Sequence, residues 1–156
     1  MSPMELPRAL IVEDGDEYFE RFTRLLGARF QFERASSFGE LLARLERRSG
    51  APPAALVFDL DFSRTPAAQI VDVHGARAPA ELVAQLAPVQ GLVMLRALRI
   101  RGGKTPALLC ADLDDVARAQ RLREELAPLE ISPSSESLSE VAARLERLCQ
   151  GAIDKT

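Results

Sequence analysis

The sequence predicts an α/β fold in which five parallel strands form a doubly wound sheet. Short apolar runs alternate with amphipathic stretches along the 156 residues, and this alternation is the pattern of βαβ units. Acidic residues directly follow the first and third apolar runs, Ala9–Val12 and Ala55–Phe58. The carboxyl edge of such a sheet is where open α/β folds bind ligands. The chain is therefore expected to carry its functional site at that edge.

The bulk composition predicts one soluble domain spanning residues 1–156. The net charge is −3, with 20 basic and 23 acidic residues spread along the chain, so no nucleic-acid partner is expected. No apolar run approaches bilayer length, and the first residues carry no secretory signal, which predicts a cytoplasmic protein without a membrane partner. Cys110 and Cys149 are expected to be reduced thiols. The oligomeric state is left undecided.

The first half of the chain gives three strands and two helices. The first helix is expected to end at Gly27. The second begins with a capping box formed by Ser37 and Glu40. The apolar stripes of these two helices are Phe19, Phe22, Leu25 and Leu26, and then Phe38, Leu41, Leu42 and Leu45. A short strand near residues 30–32 separates them, and the strand leading to Asp59 follows.

The second half repeats the alternation. A helix carrying Leu92, Leu95 and Leu98 precedes the strand that Pro106 opens. Asp114 or Asp115 is expected to cap the next helix, whose apolar side is Val116, Ala119, Leu122 and Leu126. A strand at residues 129–132 leads to a last helix, which opens with a capping box of Ser137 and Glu140. Gly151 is expected to end that helix and leave a polar tail, residues 151–156.

Residues 63–90 break the alternation, because they are far longer than the usual βα loop of about 2–6 residues. A helix is predicted here, with Pro79 near its first turn and with Leu82, Val83 and Leu86 on one side. A weaker apolar patch precedes it, formed by Ile70, Val71 and Val73. This inserted segment leaves the third strand at the edge where the acidic residues meet.

The carboxylates Glu13, Asp14 and Asp59 allow two interpretations. They can bind Mg²⁺, which prefers oxygen ligands, or they can cap the helices that follow, for which Asp14 is well placed. If the three converge without a cation, like-charge repulsion should raise at least one pKa.

These features together resemble the receiver domain of bacterial response regulators. The residues Leu10–Asp14 resemble the family's first strand and acidic pair, and Phe58–Phe62 its third strand with the phosphoacceptor. The segments Gly91–Arg96 and Thr105–Leu109 resemble its third helix and fourth strand. The resemblance implies a flavodoxin-like sheet of order 2-1-3-4-5 with right-handed crossovers, and Asp59 as the phosphoacceptor. It also implies a Mg²⁺ site formed by the three acids and the backbone carbonyl of Asp61.

The other half of the family's phosphorylation machinery is missing from the sequence. The lysine after the fifth strand is expected before Pro133, where Ser132 stands. The only lysines are Lys104 and Lys155. The hydroxyl residue after the fourth strand is expected at Cys110 or Ala111, and the fifth-strand aromatic position holds Leu129. Loss of a preorganised charge of this kind costs roughly 3 kcal/mol in the transition state.

Three hypotheses follow. The first is a degenerate pseudo-receiver without enzymatic activity or a required cofactor, which binds a regulatory protein partner through the insertion 63–90 or through the last strand and its flanking helices. The second is a single-domain response regulator phosphorylated on Asp59, with Arg64 or Arg101 supplying the missing charge. The third is a haloacid-dehalogenase-like phosphatase, because Val57–Ser63 resembles that family's first motif. Lys104 and the pair Asp114 and Asp115 are poorly spaced for it.

Overall fold

A computed structural model describes residues 5–47 and 51–154. The strands are β1 Arg8–Val12, β2 Gln31–Ala35, β3 Ala55–Asp59, β4 Ala107–Cys110 and β5 Leu129–Ser132. The helices are α1 Glu17–Leu26, α2 Phe38–Leu45, α3 Val83–Leu86, α4 Gln90–Ile100, α5 Val116–Glu125 and α6 Leu138–Asp154. Short 3₁₀ turns at Ala67–Gln69, Ala80–Leu82 and Ala87–Val89 lie within the inserted segment.

The five strands form one parallel sheet of order β2-β1-β3-β4-β5, which confirms the predicted topology. The register places Asp59 beside Cys110 and Cys110 beside Ser132. The last residues of three neighbouring strands therefore form one row across the carboxyl edge of the sheet.

Each face of the sheet is covered by its own hydrophobic cluster. On one face Ile11, Val57 and Leu108 pack with residues of α1 and α6. On the other face Leu10, Leu56 and Leu109 pack with residues of α2, α4 and α5 and of the inserted segment. Strands that are buried on both faces must be apolar at consecutive positions, which is why β1, β3 and β4 are continuous apolar runs.

The inserted segment is part of the second hydrophobic cluster. Ile70, Val71, Ala78 and Ala87 are buried in it. The predicted helix near Pro79 exists as a 3₁₀ turn followed by α3, with Val83 and Leu86 packed at the border of the cluster. The segment thus buries part of its apolar surface within the chain itself, whereas Val73 and Leu82 remain exposed.

A buried glutamine fixes this segment to the start of α4. Gln90 is 1% exposed. Its Oε1 accepts from the Val71 backbone N–H at 2.8 Å, and its Nε2 donates to the Val71 carbonyl at 3.1 Å. Gly75 then turns the chain with a φ of 80°, and a Cβ there would lie 2.5 Å from the Phe38 ring. The two Gln90 hydrogen bonds therefore fix the first half of the insertion, and Gly75 leaves room there for the Phe38 ring.

Three details of the helices differ from the sequence expectations: the apolar side of α5, the end of α6 and the capping box of α2. Asp115 caps α5 by accepting from the backbone N–H groups of residues 117 and 118, but Val116 is 78% exposed and does not belong to the apolar side. The helix α6 continues past Gly151 to Asp154. Ser37 caps α2 as predicted, whereas the Glu40 carboxylate accepts from the Ser36 backbone N–H and hydroxyl, so the box closes one residue earlier.

Among the described residues, one helical stretch is long and apolar enough to cross a membrane by length and composition. It is Ala80–Ile100, which the sequence analysis did not anticipate. Half of its apolar window is buried inside the fold. Buried core helices also pass this test of length and hydropathy, so the test alone is weak evidence for a membrane span.

Candidate functional site

The carboxyl edge of the sheet opens into a cavity of about 400 Å³. Its floor contains the row formed by Asp59, Cys110 and Ser132. Its walls come from α1 and from the loops that follow β3, β4 and β5, and they include Tyr18, Arg21, Asp61, Ala111, Asp112, Ser134 and Glu136. Among the residues that the structure describes, Arg21 is the only basic one that lines the cavity. The electrostatic environment of the cavity is therefore dominated by carboxylates.

Glu13 is the N-terminal cap of α1. Its side chain is buried, with 1% of the residue exposed. Its two carboxylate oxygens accept from the backbone N–H groups of Tyr18 at 3.1 Å and Phe19 at 2.8 Å. Burial raises the pKa of this carboxyl, and the two backbone donors oppose that shift. The helix cap expected from Asp14 is therefore made by its neighbour, because β1 delivers Glu13 directly beneath the open end of α1.

Asp14 is bound by the first residues of the insertion. The backbone N–H of Arg64 donates to its Oδ2 at 3.1 Å, and the Arg64 guanidinium donates to its Oδ1 at 2.9 Å. The same guanidinium also pairs with Glu17, at 2.6 Å between Nη1 and Oε1. These hydrogen bonds lower the pKa of Glu17 to about 2. Arg64 thus bridges two acids on either side of the start of α1.

Asp59 has a raised pKa, at about 6. Burial is the largest cause, and the charges of Asp14, Glu13 and Asp61 add to it, while a hydrogen bond from the Leu60 backbone opposes it. The sequence analysis expected a raised pKa from like-charge repulsion alone. The direction is as expected, but removal from water contributes more than the neighbouring carboxylates.

Ser132 stands where the resemblance places a lysine, and its side chain binds a carboxylate. The buried Ser132 donates its hydroxyl hydrogen bond to Oε1 of Glu136 at 2.8 Å. Glu136 is bound in turn by Arg144 of α6, at 2.8 Å and 2.9 Å from Nε, and Arg144 also donates to Glu130 at 2.9 Å. The end of β5 is therefore joined to α6 by a polar network that directs a carboxylate towards the cavity.

The end of β4 offers no hydroxyl to the cavity. Cys110 has a pKa of about 12, raised mainly by burial and also by the charge of Asp59. Ala111 follows it. Asp112 accepts from the backbone N–H of Ser134 at 2.8 Å and from its hydroxyl at 2.7 Å, and so links the loops after β4 and β5. Both cysteines are free thiols.

The predicted magnesium ligands do not fit a shared ion in this arrangement. Both oxygens of Glu13 accept from backbone N–H groups, and both oxygens of Asp14 accept from Arg64. Across residues 5–47 and 51–154, no group of three or more His, Cys, Asp and Glu side chains is placed to hold a metal ion. The binding of Mg²⁺ stays a prediction, and these side-chain contacts speak against it.

The described residues that line the Asp59 cavity include neither of the two arginines proposed to supply the missing charge. Arg64 contacts Asp14 and Glu17. Arg101 lies over the Phe38 ring, at 5.9 Å from its centroid. Sequence reasoning missed Arg21 and Tyr18 of α1 and Glu136 of the last loop. The spacing of Tyr18, Arg21 and Phe22 on one helical face could have indicated the first two. No local pattern indicates Glu136.

Solved structures share this architecture. The Francisella response regulator 1452 receiver domain is 14% identical to this chain. The match covers 92% of this chain and 97% of the Francisella domain, with a TM-score of 0.63. A putative response regulator from Chloroflexus aurantiacus is 20% identical, with coverage of 94% and 99% and a TM-score of 0.61. A CheY-like receiver domain protein from Methanospirillum hungatei is 15% identical, with coverage of 97% and 100% and a TM-score of 0.61.

The fold is that of a receiver domain. No protein-family model matches the sequence, and no curated protein sequence matches it significantly. The likeness is therefore one of three-dimensional structure. It extends over nearly the whole length of the chain and of the receiver domains compared with it.

Proposed function

We propose that this protein is a pseudo-receiver, a regulatory protein-interaction module of bacterial two-component signalling that works without phosphorylation of Asp59. The observation that supports the proposal is the hydrogen bond from Ser132 to Glu136. At this position a phosphorylatable receiver needs a positive charge that neutralises the phosphoryl oxygens. Here the end of β5 presents Ser132 and a Glu136 carboxylate that is already paired with Arg144. The carboxylates of Asp59 and Asp112 line the same cavity, and their like charge opposes the approach of a phosphoryl group.

Incubation with acetyl phosphate and Mg²⁺, followed by intact-mass measurement, tests this proposal. No phosphate adduct is expected on the natural protein. The Asp59→Asn variant is the matched control for adducts on other residues. A stoichiometric adduct on the natural chain that Asp59→Asn abolishes would show that the protein is a working response regulator.

The alternative of a phosphorylated single-domain regulator gains one observation, the presence of Arg21 in the cavity beside Asp59. An arginine there can contribute a phosphate-binding charge, although from α1 and not from the end of β5. The same experiment distinguishes the two functions. If an adduct forms and Arg21→Ala abolishes it while Arg24→Ala does not, Arg21 supplies the missing charge.

The phosphatase alternative finds little support in the placement of its residues. Lys104 precedes β4 and lines a cavity with Gly103 and Pro128. This cavity lies at the start of β4, whereas Asp59 is beside Cys110 at the end of β4. Asp115 caps α5. Hydrolysis of p-nitrophenyl phosphate that Asp59→Asn abolishes would revive this alternative.

Two surfaces are candidates for the protein partner. On the inserted segment, Leu82 and Val73 remain partly exposed. On α5, which flanks the last strand, Val116 is the most exposed of the large apolar residues described. A deletion of residues 77–87 is a poor test of the first surface, because it removes the buried Ala78 and Ala87. Leu82→Ser and Val116→Ser change each surface separately, and loss of partner recovery in only one of them identifies the interface.

A further inference from the structure

We propose that the guanidinium of Arg64 takes the place of a divalent cation at the acidic edge of the sheet. The inserted segment would then hold this edge in one metal-independent arrangement. The inference goes beyond the proposed function, since a receiver fold can bind Mg²⁺ and still fail to be phosphorylated. The two proposals are therefore tested by separate measurements, one of Mg²⁺ binding and the other of phosphate transfer.

The contacts of Arg64 satisfy the acids as a cation would. Its backbone N–H and its Nη2 take the two oxygens of Asp14, at 3.1 Å and 2.9 Å. Its Nη1 and Nη2 take the two oxygens of Glu17, at 2.6 Å and 3.2 Å. A planar guanidinium presents several donors in a fixed fork and so can serve two carboxylates at once. All four carboxylate oxygens are thereby bound by one residue.

Burial makes a counter-charge necessary for Asp14 but not for Glu17. The side chain of Asp14 is 3% exposed, whereas those of Arg64 and Glu17 are both 60% exposed. A carboxylate that is removed from water is unfavourable unless it is paired or hydrogen-bonded. Arg64 therefore reaches from the surface to neutralise a shielded acid, while Glu17 fixes the other side of the guanidinium.

The chain around Arg64 is held in place by the core. Phe62, two positions earlier, is buried and donates its backbone N–H to the Ala87 carbonyl at 2.8 Å. Thr65 donates to the Phe62 carbonyl at 3.0 Å and closes a turn. The backbone N–H that contacts Asp14 is thus presented by a turn anchored in the core.

Removal of Arg64 should expose the latent cation site. Glu13 is committed to capping α1, so the substitution frees the carboxylates of Asp14 and Glu17. Asp59 lies close enough to Asp14 for the two charges to interact. The inference predicts that Mg²⁺ stabilises a variant lacking the guanidinium and has no specific effect on the natural protein.

Thermal unfolding during a Mg²⁺ titration tests the inference, with NaCl of equal ionic strength as the salt control. The natural protein, Arg64→Gln and Arg77→Gln are compared, since Arg77 is an exposed arginine of the same segment. At Mg²⁺ ten times its Kd, the midpoint of Arg64→Gln should rise by about 3–6 °C. The midpoints of the natural protein and of Arg77→Gln should not rise beyond the salt control. Adding Asp14→Asn to Arg64→Gln should abolish the rise.

An equal rise in the natural protein, or no rise in Arg64→Gln, would overturn the inference. If Arg64→Gln is unfolded without Mg²⁺, circular dichroism replaces the thermal measurement. Refolding on addition of Mg²⁺, but not of NaCl, would support the inference, and failure to refold would overturn it.

Discussion

Gly91 lies directly against the backbone of Asp59. A Cβ atom on residue 91 would lie 1.8 Å from the Asp59 carbonyl oxygen, and the Gly91 N–H donates to the next carbonyl, of Leu60, at 3.0 Å. The first turn of α4 therefore rests on the end of β3 without a side chain between them. This close approach explains why the helix that follows the insertion returns to the carboxyl edge of the sheet.

Substitution of Gly91 by Ala should destabilise the fold, because the new methyl group overlaps backbone that cannot move away freely. The expected loss in the free energy of unfolding is about 2–3 kcal/mol. Gly151→Ala is the matched control, since a Cβ there meets nothing within 4 Å and alanine favours the helix, by about 0.5–1 kcal/mol. Urea unfolding of both variants should give changes of opposite sign.

Substitution of Glu13 by Ala should destabilise the protein by about 1–3 kcal/mol, because two N–H groups at the start of α1 lose their acceptor. Asp16→Ala should change stability by less than about 0.5 kcal/mol. Asp16 precedes the helix, but its side chain makes no capping hydrogen bond. Chemical denaturation of the two variants measures the difference. Equal losses would show that Glu13 does not cap the helix.

Asp59→Asn should stabilise the protein near neutral pH. The pKa of Asp59 is about 6 in the folded protein and 3.8 in the reference state, so folding favours its protonated form. The protonated Asp59 side chain therefore contributes its full stabilisation of the folded state below pH 3.8. This contribution is lost as the pH rises through 6. Allowing for the partial exposure of Asp59, the variant should gain about 1–2 kcal/mol at pH 7 and little at pH 4.

Asp112→Asn should change the free energy of unfolding near neutral pH in the opposite direction to Asp59→Asn. The pKa of Asp112 is lowered by the hydrogen bonds from the Ser134 backbone and hydroxyl, so its carboxylate stabilises the fold above the unfolded pKa and ceases to do so as the pH falls. This variant should be less stable than the natural protein at pH 7, with a smaller difference in acid. Unfolding free energies of both variants at pH 4 and pH 7 test the pair.

Gln90→Ala should loosen the inserted segment. The substitution leaves the Val71 N–H and carbonyl without their partners, at a cost of about 2–4 kcal/mol for two buried groups. The exposed Glu81→Ala in the same segment should change stability by less than about 0.5 kcal/mol. Hydrogen exchange at Val71 should accelerate only in the Gln90 variant. Unchanged exchange would mean that packing alone holds the segment.

The strands and their order could be predicted from the sequence. Which side of a helix is buried, and where a helix ends, could be predicted less well. A strand buried on both faces is a continuous apolar run, so β1, β3 and β4 are visible locally. Val116 was assigned to the apolar side of α5, but the cap at Asp115 sets the phase of that helix and turns Val116 outward. Gly151 was assigned as a helix stop. It lies in open space, and nothing forces the chain out of the helix there.

The sequence by itself determined that acids follow β1 and β3. It also determined that Ser132 stands where the resemblance places a lysine, and Cys110 or Ala111 where it places a hydroxyl. These are properties of residue type and local order. Only the tertiary structure decided what binds each acid. Arg64 meets Asp14 across 50 residues of sequence. Glu136 reaches the edge through the turn after β5. Such partners depend on sheet register and on the path of the insertion, which are fixed by long-range packing and leave no periodic trace in the sequence.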